Sequence, residues 1–280
     1  MIFTRYSDMD AFANDTLEVL LENEIQNNLP ISFIHSKAAV MSNCILATVK
    51  DTDGAVVLSA SCTPPYNILI YETGNRQNNA AVKLLCDELK SINFEINGVM
   101  AEQGLAHRFA TEYFGGNTLY KNVPMNVMRL DKINQIEKAS GYCRPLQEND
   151  LYYVPYWERA FSEECNIVVN NIPTYYERAK SRIEKEVYYI WEDGHPVSQA
   201  VHGRSTPNGA VVNGVYTPPY YRGRGYASSV VAELSQILLD RGNKFCCLFA
   251  DAENPISCGI YRKIGYYDIC ILSEIKFDNP

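Results

Sequence analysis

The chain has 280 residues and a formal charge of −8, with 46% apolar and 21% charged residues. That length exceeds the usual single-core range, so two domains are expected, and the composition is that of a globular protein. No basic run gives the electrostatic footprint of a nucleic-acid binder, no apolar stretch approaches membrane-spanning length, and Met1 to Asp8 hold no signal-peptide core. These readings lead to the expectation of a cytoplasmic protein with neither a nucleic-acid nor a membrane partner.

In the first half, residues 43–49 and 55–60 are two β-runs around the turn Asp51-Thr52-Asp53-Gly54, and residues 67–71 make a third. A domain boundary is expected within 131–140, dividing the chain into 1–135 and 136–280. The second half opens with a short strand from Tyr142 to Leu146, followed by a helix from Leu151 to Glu164. A second helix follows Pro173 and runs through Tyr175, Arg178, Ala179, Ile183 and Glu186. Residues 187–191 and 196–201 flank Asp193-Gly194 as a hairpin, and residues 210–215 form the next strand after a turn at Thr206 to Gly209. A helix then follows a glycine-rich loop, and residues 244–250 read as a buried strand. The order β-α-α-β-β-β-α-β-α-β predicts an α/β fold with a mixed sheet (α+β mixed), and the first half reads as a worn copy of it.

The strand-to-helix turn carries the chemistry. Val215-Tyr216-Thr217 leads through Pro218 to Tyr221 into Arg222-Gly223-Arg224-Gly225-Tyr226-Ala227-Ser228. A helix start offers unpaired N–H groups and the positive end of the helix dipole, and glycines let an anion approach them. Such a turn is also a common tight connection in α/β proteins. Downstream, Asn254 stands seven residues before Tyr261 in a segment closed by Gly265-Tyr266. On one helix that spacing is two turns, which would place both on one face.

Arg222, Gly225 and Ala227, followed by the Asn254 to Tyr266 segment, resemble the pyrophosphate loop and the second motif of the GCN5-related N-acetyltransferase (GNAT) family. The resemblance covers about residues 140 to 277. It implies the acetyltransferase fold in two tandem domains, with a degenerate first copy, and acetyl-CoA as cosubstrate. By resemblance, Val215, Tyr216 and Thr217 hydrogen-bond the pantetheine arm through a strand edge, where a backbone N–H faces the acetyl carbonyl. Arg222, Gly223, Arg224, Gly225, Tyr226, Ala227 and Ser228 hold the pyrophosphate, and Tyr261 protonates the leaving thiolate. Asn254 reads either as a pantetheine ligand or as a helix cap, and Ser257 either as a further donor or as part of a helix start.

The first copy should lack a working site. Aligned by eye, Gln77 to Val82 falls where Arg222 to Ala227 fall, with Ala80 and Val82 in place of Gly225 and Ala227, and Phe109 replaces Tyr261. The strand glutamate that many family members use as base is also missing, because Val211 stands there. Glu186, Glu192, Asp251, His195 and His202 remain as replacements, together with a water chain. The nine cysteines lack metal-ligand spacing and read as reduced, packed thiols, so no metal is expected. Tyrosines at 152, 153, 156, 175, 176, 188 and 189 suggest either an aromatic acceptor pocket or core packing. The expected activity is N-acetyl transfer to a primary amine of a small acceptor. The alternatives are another acyl group, an O-acceptor, or a non-catalytic CoA-binding protein.

Overall fold

The computed structural model describes residues 1–36, 43–74, 77–115 and 120–277. Its elements follow one succession twice. The first runs β1 (Ile2–Arg5), α1 (Met9–Leu21), α2 (Asn28–His35), β2 (Ile45–Lys50), β3 (Val56–Cys62), β4 (Ile68–Glu72), α3 (Asn79–Ser91), β5 (Gly98–Glu102), α4 (Gln103–Phe114) and β6 (Tyr120–Leu130). The second runs β7 (Tyr142–Pro145), α5 (Val154–Glu164), α6 (Ile172–Ile183), β8 (Tyr188–Glu192), β9 (Pro196–Ser205), β10 (Gly209–Tyr216), α7 (Tyr226–Asp240), β11 (Phe245–Asp251), α8 (Pro255–Ile264) and β12 (Tyr267–Phe277). The mixed α/β architecture read from the sequence is therefore present in both halves.

The chain forms two compact units, one of residues 1–127, 250–254 and 269–280, the other of residues 128–249 and 255–268. In the first unit the strand order is β1-β2-β3-β4-β5-β12. Alternation sorts its side chains. Ile45, Ala47, Val49, Leu58 and Ala60 face the buried side of α3 and α4, including Leu85 and Phe109. Leu46 and Tyr71 face α1 and α2, packing with Phe12, Leu20 and Ile31. In the second unit Trp157 of α5 and Ala179 of α6 pack on Tyr188, Ile190, Val201 and Tyr216. On the other face, Cys246 of β11 reaches the Ser235 carbonyl of α7, and α7 buries Val230, Val231, Leu234 and Leu238.

The units are interleaved in sequence, whereas the division at 135/136 expected above follows the repeated order. β12 pairs antiparallel with β5, from Leu272 opposite Glu102 to Lys276 opposite Gly98. Its Ile275 and Phe277 complete the core of the first unit. In turn β6 enters the second unit at Met128, where the Arg129 guanidinium lies 4.7 Å over the Phe245 ring. Two local expectations shift. The helix expected from Leu151 starts with a 3-10 turn at Glu148–Tyr152 and becomes α-helical at Val154, just before Pro155. The helix expected to reach Glu186 stops at Ile183, because Glu186 adopts φ 47°, a left-handed conformation incompatible with continuing it.

Ile275 is fully buried and lies opposite Val99 of β5, so truncating it tests the interleaving. Ile275→Ala should destabilise by about 2 to 5 kcal/mol through the cavity it leaves. Hydrogen exchange should show the loss of protection in β2 to β5; an effect confined to residues 128–249 would contradict the assignment of β12 to the first core.

Candidate active site

The site begins where two strands part. β10 and β11 pair in parallel only over Gly209 to Val211 against Phe245 to Cys247, although they continue to Tyr216 and Asp251. On its other side β10 pairs with β9, with register shifts between Val211 and Val212 and again between Asn213 and Tyr216. Such shifts bend a strand and increase its twist. Beyond Val211 the β10 edge toward β11 is thus left without the ladder, which is the arrangement an extended ligand can join by main-chain hydrogen bonds. Gln199 of β9 supports the bend, donating from Nε2 to the Gly214 carbonyl at 3.2 Å.

The loop after β10 is held by its own side chains. Thr217 is 9% exposed and shares a 2.8 Å hydrogen bond with Ser198, whose hydroxyl also lies 3.2 Å from the Tyr216 carbonyl. Arg222 donates from Nε to the Thr217 carbonyl at 2.9 Å and pairs with Glu164 at 2.7 Å, its guanidinium 5.8 Å from the Tyr216 ring centre. It therefore fastens the loop to its own strand end and to α5. Arg224 is exposed.

The helix start is open. Gly223 and Gly225 have φ of 80° and 81°, which other residues adopt at a cost. A Cβ on Gly223 would meet nothing within 4 Å, and one on Gly225 only the Ala139 Cβ at 3.8 Å. The glycines serve backbone conformation and leave free space above the helix. Gly225 caps α7 without a side-chain hydrogen bond, and the first helical bond runs from Ser229 N–H to the Gly225 carbonyl. The N–H groups of Tyr226, Ala227 and Ser228 consequently point out of the helix start, where the dipole favours an anion. Among the expected ligands, Val215 and Ser228 are half-buried and Tyr226 is buried.

Two residues missed in the sequence brace this turn. Asp193, read above only as a hairpin residue, accepts from the Tyr226 hydroxyl at 2.6 Å and from Ser140 at 2.7 Å. Hydrogen bonding by Tyr226 and then Ser140 holds its carboxyl below the usual range. The Ser229 hydroxyl bonds the Gly225 carbonyl at 3.0 Å while accepting from Ala139 N–H at 2.8 Å. Tyr226 is therefore engaged through its ring and hydroxyl in holding the loop.

Tyr261 lies on α8, its ring 6.0 Å from that of Tyr266, whose hydroxyl bonds Ser235 of α7 at 2.8 Å. Burial pushes its hydroxyl pKa above the ordinary tyrosine value, with the Cys165 and Cys258 thiols adding to the effect. Ser257 is half-buried in the first turn of α8. The one-helix placement of Asn254 and Tyr261 needs correction: α8 starts at Pro255, a favoured first helical residue, so Asn254 lies just outside it. Asn254 N–H donates to the Asp251 carbonyl at 3.0 Å.

The candidate bases have other engagements. Glu192 binds Arg144 and the Tyr142 hydroxyl. Glu186 is exposed, 3.6 Å from Arg241, and Asp251 accepts from Glu253 N–H. The His195 ring lies tilted 5.1 Å from that of Tyr221, and His202 sits 3.0 Å from Ser205 with its pKa lowered by burial. The seven tyrosines also divide: Tyr175, Tyr188 and Tyr189 are core residues, whereas Tyr152 and Tyr156 are exposed. Burial pushes the Cys246 thiol up to about 12, against a nucleophilic role.

The first unit repeats the splay and closes the helix start. β4 and β5 pair in parallel only at Ile68 with Val99 and Leu69 with Met100. Here Asn78 caps α3, its side chain accepting from Ala81 N–H at 3.0 Å, while its own N–H donates to Glu72 at 2.7 Å. Arg108 of α4 pairs with Glu72 and donates to Asn79 at 3.2 Å. The alignment by eye is corrected by two residues: the cap matching Gly225 is Asn78, not Ala80, and the crowding comes from its capping side chain and the Glu72 carboxylate. Phe109 does match Tyr261, each six residues after the start of its helix.

Residues 193–273 match the profile of the family described as FR47-like protein. No curated protein matches the chain. Among solved structures, a GCN5-related N-acetyltransferase from Sphaerobacter thermophilus superposes with a TM-score of 0.69 at 15% identity, covering 100% of this chain and 96% of that one. A GNAT-family acetyltransferase from Colwellia psychrerythraea gives 0.66 at 10% identity, covering 99% and 100%. The chain has the GNAT fold. The tandem form is also matched, by a tandem GNAT protein from the clavulanic acid biosynthesis pathway, with a TM-score of 0.57, 12% identity and coverage of 100% and 99%. The family resemblance and fold expected from the sequence are therefore borne out. Among the described residues no helix is long and apolar enough to cross a membrane.

The Asp193 brace is testable without a ligand. Asp193→Ala should speed hydrogen exchange at Ser229, the first bonded amide of α7, about 3- to 10-fold, the effect of losing about one net hydrogen bond, with little change in global melting. Unchanged exchange there would remove Asp193 from the support of the loop.

Proposed function

We propose that the second GNAT unit transfers an acetyl group from acetyl-CoA directly to a primary amine of a small acceptor in a ternary complex. The supporting observation is the open α7 start beside the β10 splay, against its closed counterpart at α3. In this reading the Gly223 to Ser228 backbone takes the pyrophosphate, with Arg222 shaping the loop and Arg224 adding positive charge at its rim. The β10 edge from Val215 to Thr217 takes the pantetheine arm, with Asn254 and Ser257 as further polar contacts.

A primary amine with a pKa near 10.4 is about one part in a thousand neutral at pH 7. Its lone pair attacks the thioester carbon, and the carbonyl oxygen gains charge that a backbone N–H of bent β10 stabilises. The carbon–sulfur bond then breaks and the sulfur takes a proton from the Tyr261 hydroxyl. Burial keeps that hydroxyl protonated through neutral and mildly alkaline pH, as an acid requires. The ammonium proton leaves through water.

One observation favours a second reading. Val211 is 1% exposed where a strand base would stand, which suits a protein that binds CoA without turning over. Turnover of any amine would exclude it.

Calorimetric titration of acetyl-CoA should show one site, lost in Gly225→Val, whose side chain is strained at φ 81° and fills the open space. No binding to the parent would overturn the proposal. Tyr261→Phe should lower kcat about 10- to 100-fold while leaving acetyl-CoA affinity within about 2-fold, consistent with loss of a general acid. Because the hydroxyl pKa is raised, the parent should show no loss of kcat from Tyr261 ionisation up to pH about 9.5. Unchanged kcat in the variant would remove Tyr261 from the reaction.

A further inference from the structure

Arg204 has no part in the reaction proposed above. It is half-buried on β9 and stands opposite Val211 of β10, which in turn is opposite Cys247 of β11. Paired residues project to the same face of a sheet, and successive residues of a strand project to opposite faces. Cys246 reaches α7, so Arg204, Val211, Cys247 and Phe249 lie on the face away from α7. Val201, opposite Asn213, and Tyr216, opposite Gln199, pack with α5 and α6, which places Gln199 and the exposed Asn213 on this face as well.

The Arg204 guanidinium lies 5.7 Å from the Phe249 ring centre. Val211 and Cys247 are the last opposed pair, so Phe249 belongs to the part of β11 that has left β10, and the guanidinium sits over the start of the splay. Because α7 covers the other face, an acceptor reaches a thioester in the splay from the Arg204 side. Half-burial of an arginine is costly, and it lowers the pKa to about 10, which leaves the group cationic at neutral pH. Stacking on an aromatic ring uses the flat of a guanidinium, while the N–H fork along its edge has the shape that takes a carboxylate through two parallel hydrogen bonds.

A second group calls for a donor. Gln199 is 1% exposed and donates from Nε2 to the Gly214 carbonyl at the bend, and its Oε1 has no hydrogen-bond partner among the described residues. A buried acceptor without a donor is unfavourable. The face therefore combines a cation at the start of the splay with an unsatisfied acceptor at the bend, the complement of a molecule with an anionic end and an N–H end. Counted from the Val211–Cys247 pair, Phe249 is level with Asn213, and Val215 is two residues, about 7 Å, further on. A charge-assisted hydrogen bond of about 2.8 Å takes part of that span, and the remainder fits an amine one or two carbons from the carboxylate.

We propose, resting on the transferase reading of this unit, that the acceptor is an α- or β-amino acid, its carboxylate held by Arg204 and its amine at the β10 bend against Gln199 Oε1.

The test incubates the full chain with acetyl-CoA and a panel of the common L-amino acids and β-alanine, each beside its decarboxylated amine, with N-acetyl products read by mass spectrometry and acetyl-CoA binding read separately by calorimetry. At least one amino acid should be acetylated with kcat/KM about 10-fold or more above that of its decarboxylated amine. Arg204→Gln should raise the amino-acid KM about 10- to 100-fold, the loss of charge-assisted hydrogen bonds, with acetyl-CoA affinity within about 2-fold of the parent. Arg204→Lys, which keeps the charge and loses the fork, should fall between them. A packing role alone would lower the use of both acceptors alike. Acetyl-CoA binding with no amino acid acetylated, equal use of the decarboxylated amines, or an unchanged KM in Arg204→Gln would overturn the assignment and leave the transferase reading standing. Absence of acetyl-CoA binding would overturn that reading and this assignment with it.

Discussion

The second unit depends on an interruption of parallel pairing. β10 and β11 are joined for three opposed residue pairs and then separate, while β9 continues to support β10 from the other side. A continuous ladder would satisfy the backbone but leave no opening. The register shifts in β10 resolve this conflict by turning its end toward the loop, and Gln199, Ser198 and Thr217 supply side-chain bonds where ladder bonds change. The glycine loop then starts from a strand end that its own side chains hold. Arg222 and Asp193 fasten the loop at its two ends, so the open N–H groups of α7 are presented by a supported turn.

The two helix starts satisfy their first turns by different means. At α7 the cap is a glycine with a left-handed backbone and no side chain to satisfy the first turn. At α3 the cap is Asn78, which satisfies one donor through its side chain, and Glu72 supplies a carboxylate to its backbone N–H. Glu72 is neutralised by Arg108, so the α3 start holds an internal anion already paired with a cation. A phosphate would have to displace both the cap and the ion pair. The α3 start is thus closed by its own contacts, where the α7 start has only a glycine.

Most of the fold was legible because its strands and turns carry local signals. Asp193-Gly194 marked the hairpin, and Gly223-Arg224-Gly225 marked the entry to α7. The destination of β12 was not legible, since pairing with β5 depends on residues more than a hundred positions away, and alternation in β12 says only that one face is buried. The first unit's helix cap was misaligned for a different reason. Asn78 and Gly225 cap by unlike means, one with a side chain and one with a backbone conformation, so residue type does not reveal their equivalence. Asp193 shows a third limit: one residue serves a hairpin turn and a tertiary brace, and only the first has a sequence signature.

The valine at 211 is coupled to its surroundings. Val211 is the cross-strand partner of Arg204, whose guanidinium lies 5.7 Å from the Phe249 ring and whose pKa burial lowers to about 10. At that pKa the guanidinium is still cationic at neutral pH. A carboxylate at 211 would stand beside it on the same strand face, and an adjacent cation lowers a carboxyl pKa. The resulting ion pair would be a weak proton acceptor for an ammonium group. Arg204 and a strand carboxylate base are therefore poor neighbours, and an apolar residue at 211 fits the arginine that is present. In the proposed reaction the acceptor amine's proton would accordingly pass to solvent at the splay, which leaves the acid step to Tyr261 on α8, whose hydroxyl pKa burial raises.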